Sequence, residues 1–347
     1  MTKHTSSTPR RSLALAILTA AACAAAPASS MASGAETFCV HQGGYVCPAG
    51  SIDEGTDLQA ALNNANGNSV GIDTPNVVDI GPGTYTSTDG FDYVSTNPIR
   101  IVGAGPGATT LTAEPDSASG THVLAAGAGV APLSSMTATV SGVTLAGVNA
   151  NGFGLDLVNG AAENVAVTGS GANATGLSLQ YSAVKTASVS VPDGNATGVL
   201  TRASASDELD DLTVDTGGFG VRAGAMTTLL RAHITAGIAV QTVGGSVDID
   251  DSLVQATNSG LDALDAASPG SIHGGNDTIV RETVPAAPAA PSYGVYAQST
   301  AGNGADIGIV DSIIHGSTIR SGPMPNPAAP PSRTPASTMT ASMSTAA

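Results

Sequence analysis

A short pattern of apolar and polar positions recurs seven times between residues 154 and 297. Each copy has a glycine, an aliphatic residue, one variable residue and usually a second apolar residue. The copies are Gly154–Leu157, Gly176–Leu179, Gly198–Leu200, Gly220–Ala223, Gly237–Val240, Gly260–Ala263 and Gly294–Ala297. The first four glycines are each 22 residues apart, and the next gaps are 17, 23 and 34 residues. A period in the low twenties with apolar residues at alternate positions predicts the short strands of a solenoid.

A second pattern completes each repeat with another short apolar strand. Its copies are Asn164–Val167, Ala187–Val191, Asp211–Val214, Ala232–Ile234, Asp251–Val254, Asp277–Val280 and Asp311–Ile314. Each repeat therefore has at least two strands separated by polar turns. Repeats of this length are too short for helix-pair repeats, which need about 33 residues or more. We therefore expect an all-β solenoid.

The N-terminal part of the fold is predicted to begin with one helix. Thr56 or Asp57 can cap its first turn, the apolar residues from Leu58 onward lie on one helical face, and Asn66–Asn68 ends it. Strands are expected at Val77–Ile80, Pro98–Val102 and Thr109–Thr112.

This N-terminal region resembles a known superfamily. The motifs are D-L-Q-A-A-L at 57–62, V-V-D-I-G-P-G-T-Y at 77–85 and I-R-I-V-G-A-G-P-G-A-T-T-L at 99–111. They are similar to the N-terminal entry of bacterial pectin-lyase-like proteins. The resemblance implies a right-handed parallel β-helix over residues 53–320, capped at its N-terminal end by the short helix. Resemblance to the pectate lyases would further imply calcium-binding aspartates and a basic residue that abstracts a proton.

The two ends of the chain are expected to differ from the solenoid. Residues 1–32 have a basic start, a short apolar run and small-residue cleavage sites, which predicts a secretory signal peptide. Cys23 lacks the preceding leucine of a lipoprotein site, so lipid anchoring there is not expected. Residues 33–52 form a cysteine loop, and residues 321–347, rich in Pro, Ala, Ser and Thr, are predicted to be disordered.

Cys39 and Cys47 are the two cysteines that remain after signal cleavage. Because exported proteins fold in an oxidising compartment, we expect these cysteines to form a disulfide. Their spacing does not match a common zinc motif. The Pro/Ala-rich stretch 283–291 is predicted to loop out of one turn, where it either carries a binding function or is a tolerated insertion.

Charge narrows the range of partners. The formal net charge is −16, and the predicted signal peptide holds three of the 11 basic residues and none of the acidic ones. A chain this acidic is not expected to bind nucleic acid or an anionic membrane surface. No stretch beyond the signal peptide is apolar and long enough for a transmembrane helix.

Catalytic candidates are few. Asp210–Asp211 and Asp250–Asp251 are pairs of adjacent carboxylates, and glycosidases use carboxylates in pairs. However, Asp211, Asp251, Asp277 and Asp311 all precede the same predicted strand, so a structural turn is the competing interpretation. The basic candidates for a lyase are Lys185, Arg202, Arg222 and Arg231, with Arg202 and Arg222 expected on neighbouring coils.

Cofactor motifs are not evident, and calcium is the cation expected if one binds. Asp248, Asp250 and Asp251 are its candidate ligands, although an EF-hand pattern is absent. His233 is expected inside a strand and His273 in a turn. The sequence therefore predicts a secreted β-solenoid that binds extracellular glycans. The alternative is a polysaccharide lyase or glycoside hydrolase acting on acidic polysaccharide, and whether the protein is an enzyme at all stays open.

Overall fold

The computed structural model describes residues 34–68, 70–114, 121–128, 136–202, 206–264, 270–281, 293–298, 305–315, 319–321 and 339–343. The predicted signal peptide, Cys23 and the 283–291 stretch lie outside these residues. The described chain forms a right-handed parallel β-helix. All of its strand pairs given below are parallel, and each strand pairs with the equivalent strand of the next coil.

The strands of the described residues form three faces, which the chain visits in the same order in each coil. The first face consists of Phe91–Tyr93, His122–Ala126, Phe153–Val158, Thr175–Gln180, Thr197–Thr201, Phe219–Ala223, the later parts of His233–Val243 and Leu253–Leu264, Tyr293–Gln298 and Ile319–Ser321. The second face consists of Thr37–Val40, Ile52–Asp53, Asn76–Ile80, Ile99–Gly103, the first parts of Ala138–Val148, Gly160–Gly169, Ala183–Val191 and Ser206–Thr216, then Met226–Leu230, Ser246–Asp250, Gly270–Gly275, the first part of Ala305–His315 and Met339–Met343. The third face consists of Gly83–Ser87, Thr109–Ala113, the later parts of Ala138–Val148, Gly160–Gly169, Ala183–Val191 and Ser206–Thr216, the first parts of His233–Val243 and Leu253–Leu264, then Thr278–Arg281 and the later part of Ala305–His315.

The aliphatic residue of the repeated pattern fills the core. In successive coils this position stacks Leu155, Leu177, Val199 and Val221, all of which are fully buried. The glycine that precedes it is required by close approach. A Cβ added to Gly154 would lie 2.6 Å from the carbonyl oxygen of the next coil. Small residues at this position therefore allow the coils to stack at normal strand spacing.

The fifth copy of the pattern is out of register with the predicted alignment. Val221 pairs with Val240, so the residue equivalent to Gly220 is Ala239 rather than Gly237. The fifth copy is therefore Ala239–Thr242. A separate irregularity lies in the pairing of His233–Val243 with the following strand, Leu253–Leu264, where the register shifts between Ala236 and Ile238.

A row of left-handed residues marks the corner between the second and third faces. We call it the corner row, and it consists of Gly142, Asn164, Thr186, Asp211, Arg231, Asp251, Asn276 and Asp311. Their φ angles lie between 51° and 66°. Glycine, Asn and Asp adopt this conformation at least cost, which explains their recurrence. Asp211, Asp251 and Asp311 are thus turn residues, as the structural interpretation predicted.

Asp277 does not belong to the corner row, although the alignment of the internal repeats placed it with Asp211, Asp251 and Asp311. The pairing places it one position later, opposite Ser252, and Asn276 takes the corner. The side chain of Asp277 is 2% exposed. The sequence alignment fails here because Asn and Asp are adjacent and either can occupy a turn.

The predicted helix is confirmed as Leu58–Gly67. Asp57 caps it by accepting a hydrogen bond from Ala60 N–H at 2.9 Å. The apolar face of this α-helix packs against the first strands of the β-helix, including Thr37–Val40 and Asn76–Ile80. Because this strand at 37–40 pairs with its neighbours, the predicted cysteine loop contributes to the β-helix itself.

Two short strands near the C-terminal end continue the parallel pairing. Met339–Met343 forms a strand paired with Ala305–His315, and Ile319–Ser321 pairs with Tyr293–Gln298. The last coil of a parallel solenoid presents unpaired backbone groups, and an extended segment can satisfy them. No helix among the described residues is long and apolar enough to cross a membrane.

Candidate functional site

The variable residue of the repeated pattern points away from the core on the first face. In successive coils it forms what we call the outer row: Asp156, Ser178, Leu200, Arg222, Gln241 and Asp262. The residues before and after each of these positions are buried. Strand alternation therefore directs six different side chains outward, about 4.8 Å apart along the row, and of these Asp156, Leu200 and Arg222 are partly exposed while Ser178, Gln241 and Asp262 are buried.

Arg202 lies across one end of this row. It directly follows the strand Thr197–Thr201, and its side chain reaches back over two neighbouring coils. Its Nε donates to Ser178 Oγ at 3.1 Å, and its guanidinium forms an ion pair with Asp156. The two side chains are 34% and 22% exposed, so the pair borders solvent. This contact covers Ser178, which is fully buried.

Arg222 occupies the centre of the outer row. Its guanidinium lies over the ring of Phe219 at 5.2 Å from the centroid. The ion pairs among the described residues do not include Arg222. Both side chains are partly exposed. A cation held on an aromatic face, without a carboxylate, keeps its hydrogen-bond donors available for a ligand.

The partly exposed members of this surface form what we call the arginine patch: Asp156, Leu200, Arg202, Phe219 and Arg222. Leu200 pairs directly with Arg222, and Arg202 follows Leu200 by two residues on the same side. The sequence expectation that Arg202 and Arg222 lie on neighbouring coils is therefore correct. The patch combines two cations, one carboxylate, one ring and one aliphatic side chain.

A buried polar pair continues the outer row beyond Arg222. Gln241 donates from Nε2 to Asp262 Oδ2 at 3.0 Å, and the two residues are 6% and 7% exposed. Burial raises the pKa of Asp262, and the Gln241 hydrogen bond partly offsets this. A carboxyl group in this setting is easily protonated, and the amide holds it in one orientation.

Asp207 is a second carboxylate near Arg202, at the start of the second face. Its Oδ1 accepts a hydrogen bond from Ser182 N–H at 2.8 Å, and the residue is 2% exposed. Burial raises its pKa to about 6, while the Ser182 N–H and the positive charge of Arg202 act in the opposite direction. Arg202 is thus influenced by two carboxylates, one in contact and one buried.

Asp210 and Asp211 are not brought to the arginine patch. Asp210 faces outward from the second face and forms an ion pair with Arg231. Asp211 sits in the corner row, where Thr186 Oγ1 donates to its Oδ2 at 3.3 Å. The two carboxylates therefore have different partners, Arg231 for Asp210 and Thr186 for Asp211, and a catalytic role for this pair stays a prediction. Lys185 lies on the second face, paired with Asp210 and Glu163.

Asp248 and Asp250 lie on the outer side of the second face, and Asp251 lies at the corner. Asp248 and Asp250, but not Asp251, line a shallow depression with His273, which lies in the strand Gly270–Gly275 rather than in the predicted turn. Within the described residues, the one group of three potential metal ligands whose ligand atoms lie within 4.8 Å of one another is elsewhere, at His41, Cys47 and Asp53. Calcium at Asp248, Asp250 and Asp251 stays a prediction.

Sequence reasoning missed Asp156, Gln241 and Asp262. The sequence did contain a signal for these residues. The variable position of the repeated pattern changes its side-chain chemistry from coil to coil, which indicates that it lies outside the core. Gln241 was hidden because the glycine pattern aligns the fifth copy on Gly237, two residues before the true equivalent, Ala239. The partners of Arg202 lie 24 and 46 residues away, so they become visible only when the coils are stacked.

No protein-family model and no curated protein sequence matches the chain. A structure of pectin methyl esterase from rice weevil is similar over 67% of this chain and 91% of that chain, with 12% identity and a TM-score of 0.44. The catalytic domain of a GH87 α-1,3-glucanase in complex with nigerose is similar over 74% of this chain and 53% of that chain, with 15% identity and a TM-score of 0.45. Pectate lyase Pel9A is similar over 86% and 82%, with 15% identity and a TM-score of 0.42.

At these identities the likeness concerns the fold alone. The strand register of the chain itself defines the architecture, through coils that pair in parallel from Thr37–Val40 onward. The parallel β-helix predicted from the sequence is confirmed.

Proposed function

We propose that this chain is a secreted glycan-binding protein whose arginine patch contacts the ligand. The observation that carries the proposal is Arg222, a cation on the ring of Phe219 that takes no part in the ion pairs of the described residues. The Cys39–Cys47 disulfide supports an oxidising compartment. Sequencing the N-terminus of protein recovered from the culture medium would test the signal peptide.

The chemistry of the patch suits a sugar chain. A guanidinium offers several N–H donors in one plane, and these can pair with hydroxyl or carboxylate oxygens. An aromatic ring and an aliphatic side chain offer apolar contact to the faces of pyranose rings. Because the row runs from coil to coil, a linear glycan can meet several of these groups in sequence.

Charge limits the glycan. The net charge of −16 creates a negative field around the protein, and Asp156 adds a carboxylate beside the patch. A polymer with a carboxylate on every sugar would be repelled by both. We therefore infer a neutral or sparsely anionic glycan, with one anionic group placed at Arg222.

Distances disfavour a two-carboxylate hydrolase on the first face. Asp156 and Asp262 are five strands apart in the outer row, which corresponds to roughly 24 Å at ordinary strand spacing. Glycosidases need their carboxyl groups about 5 to 10 Å apart.

A lyase that uses Arg202 or Arg222 as the base is the alternative. Release of unsaturated or reducing ends from a panel of uronate polymers, with and without calcium, would favour it.

The binding proposal is tested on a glycan array with the wild-type chain and the Arg222→Ala variant. Arg100→Ala is a matched control, because Arg100 is an exposed arginine on the second face. We expect Arg222→Ala to weaken binding roughly tenfold or more, as is usual for a central arginine in an interface. Arg100→Ala should bind normally. Equal loss in both variants, or no glycan bound by the wild type, would refute the arginine patch as the site.

A further inference from the structure

A cluster of potential metal ligands surrounds the N-terminal disulfide. The ligand atoms of His41, Cys47 and Asp53 all lie within 4.8 Å of one another. Cys47 is bonded to Cys39, whose Cα lies 5.7 Å from that of Cys47. Cys39 in turn pairs directly with Asp53 on the neighbouring strand. We call these four residues the N-terminal cluster.

The spacing of the nitrogen and oxygen ligands fits a tetrahedral ion. His41 Nε2 lies 3.1 Å from Asp53 Oδ1. Two ligands that are each about 2.0 to 2.1 Å from a zinc ion in tetrahedral geometry lie roughly 3.3 Å apart. The pair therefore needs little rearrangement to share one ion.

Two further features of Asp53 and His41 bear on ligand binding by the cluster. Gly55 N–H donates to Asp53 Oδ1 at 2.8 Å, which fixes the carboxylate in place. His41 Nδ1 is buried and has no hydrogen-bond partner among the described residues. The nitrogen that faces Asp53 is Nε2, so Nε2 is the His41 atom that would bind an ion shared with Asp53.

We propose that reduction of the Cys39–Cys47 disulfide turns the N-terminal cluster into a zinc-binding site. Three ligands would come from the close group, namely Cys47 Sγ, one nitrogen of His41 and one oxygen of Asp53, and the fourth would be Cys39 Sγ, which is bonded to Cys47 Sγ in the oxidised chain. In the oxidised chain both sulfurs are occupied by the bond between them, so the site is closed. Sequence spacing alone does not indicate this, since His41 and Asp53 join the cysteines only through strand pairing.

The chemistry balances with a phosphine as the reductant. The phosphine takes the oxygen atom of a water molecule and becomes its oxide, and the S–S bond gains two electrons and two protons. The two thiols then release their protons when they bind Zn²⁺ as thiolates. The metal would join the strands Thr37–Val40 and Ile52–Asp53, which the disulfide loop flanks in the oxidised chain.

The test uses the full chain with Cys23→Ser, so that Cys39 and Cys47 are the only thiols. Protein treated with phosphine, and untreated protein, are each titrated with Zn²⁺ against a chromophoric indicator, and with Co²⁺ for the absorption of thiolate ligands. We expect one ion per reduced chain, thiolate bands with Co²⁺, and no tight binding by the oxidised chain. Bound metal should also protect the thiols from alkylation.

His41→Ala and Asp53→Asn should each weaken zinc binding by at least 10- to 100-fold, the range seen even for outer partners of metal ligands. The matched control is His122→Ala. His122 and Asp92 form a similar pair at 2.7 Å with similar exposure but no cysteine nearby. Circular dichroism identifies any variant that fails to fold. If His41→Ala fails to fold, Asp53→Asn still tests the site.

Three results would overturn the proposal. The first is equal zinc binding by oxidised and reduced protein, and the second is no binding by the reduced protein. The third is unchanged binding in both folded cluster variants. These outcomes are independent of glycan binding, which involves a different part of the chain.

Discussion

The corner row and the outer row are both repeated once per coil, but they obey different constraints. Every corner residue has the same left-handed backbone, with φ between 51° and 66°. Outer-row residues lie in ordinary extended strands, where any side chain is allowed. The corner therefore selects residue types for conformation, while the outer row is free to vary its chemistry. In a solenoid, the recurrence of Asp at one position indicates architecture, and variation at an outward position indicates a surface available for function.

Asp277 provides the most severe test of this comparison, because the sequence pattern places it in the corner row and the structure places it inside. Its Oδ1 accepts from Ser252 N–H at 3.0 Å, while Oδ2 is buried without a hydrogen-bond partner among the described residues. Burial raises its pKa from 3.8 to about 7, with a smaller contribution from the charges of Asp250 and Asp251.

We expect the stability of the wild-type chain to fall as pH rises from about 4 to 7. The folded chain holds the Asp277 proton more tightly than the unfolded chain does, so the unfolded chain is favoured as protons are removed. Asp277→Asn removes the charge. The variant should lose less stability over this range and exceed the wild type above pH 7, by on the order of a few kcal/mol.

The measurement is the thermal midpoint of both chains between pH 4 and pH 8. Asp207→Asn is a companion variant, since the pKa of Asp207 is raised to about 6 and its effect should end at lower pH. A corner residue in solvent would give parallel curves for wild type and Asp277→Asn. Parallel curves would therefore show that the carboxyl group of Asp277 is solvated, as the repeat alignment predicted, and would contradict its buried position.

The second largest effect is expected within the corner row, at Asp251. Asp251→Val places a β-branched side chain at φ 52°, which should destabilise the protein by about 1 to 3 kcal/mol. Asp251→Gly should be neutral or slightly stabilising, because glycine adopts this conformation without strain. Denaturant unfolding of the two variants measures the difference. Glycan binding should be unchanged in both, and a loss of binding would show that the corner has a functional role.

Much of the fold could be predicted from the sequence because the repeat is local. The glycine and aliphatic positions recur every 22 residues in the first four coils, and close packing of neighbouring coils imposes both. The helix at Leu58–Gly67 has its own cap, and its boundaries follow from nearby residues. The register failed where two alignments fit the pattern equally well, with Gly237 competing with Ala239 in the fifth copy and Asp277 competing with Asn276 at the corner.

The candidate site could be predicted only in part, for a different reason. Arg202 and Arg222 stood out because basic residues are scarce, and their spacing placed them on neighbouring coils. Their partners depend on long side chains that cross coils, and no local pattern specifies which neighbour they choose. Arg202 reaches Asp156 past Ser178, whereas Arg222 turns to Phe219 on its own strand.

The third prediction separates charge from shape at the centre of the outer row. Arg222→Lys keeps the positive charge but replaces the planar guanidinium that lies over Phe219. An ammonium lacks the planar set of donors that can pair side by side with glycan oxygens, so glycan affinity should fall by roughly two- to fivefold. Isothermal titration with the best glycan from the array gives the ratio. The lost contact with Phe219 is worth about 0.5 to 1 kcal/mol of folding free energy, so the thermal midpoint should fall by no more than a few degrees, and a larger fall would show that this outer-row position is required for folding.

The smallest expected effect is at the other end of the arginine patch. The ion pair between Arg202 and Asp156 is about one-third and one-fifth exposed, and pairs bordering solvent contribute roughly 0 to 1 kcal/mol. Arg202→Ala, Asp156→Asn and the double variant form a cycle whose coupling in unfolding free energy should fall in that range. The same cycle for glycan affinity distinguishes two roles for Asp156. If the carboxylate only orients Arg202, Asp156→Asn has no effect once Arg202 is removed; if it binds sugar hydroxyls itself, the loss persists in the Arg202→Ala background.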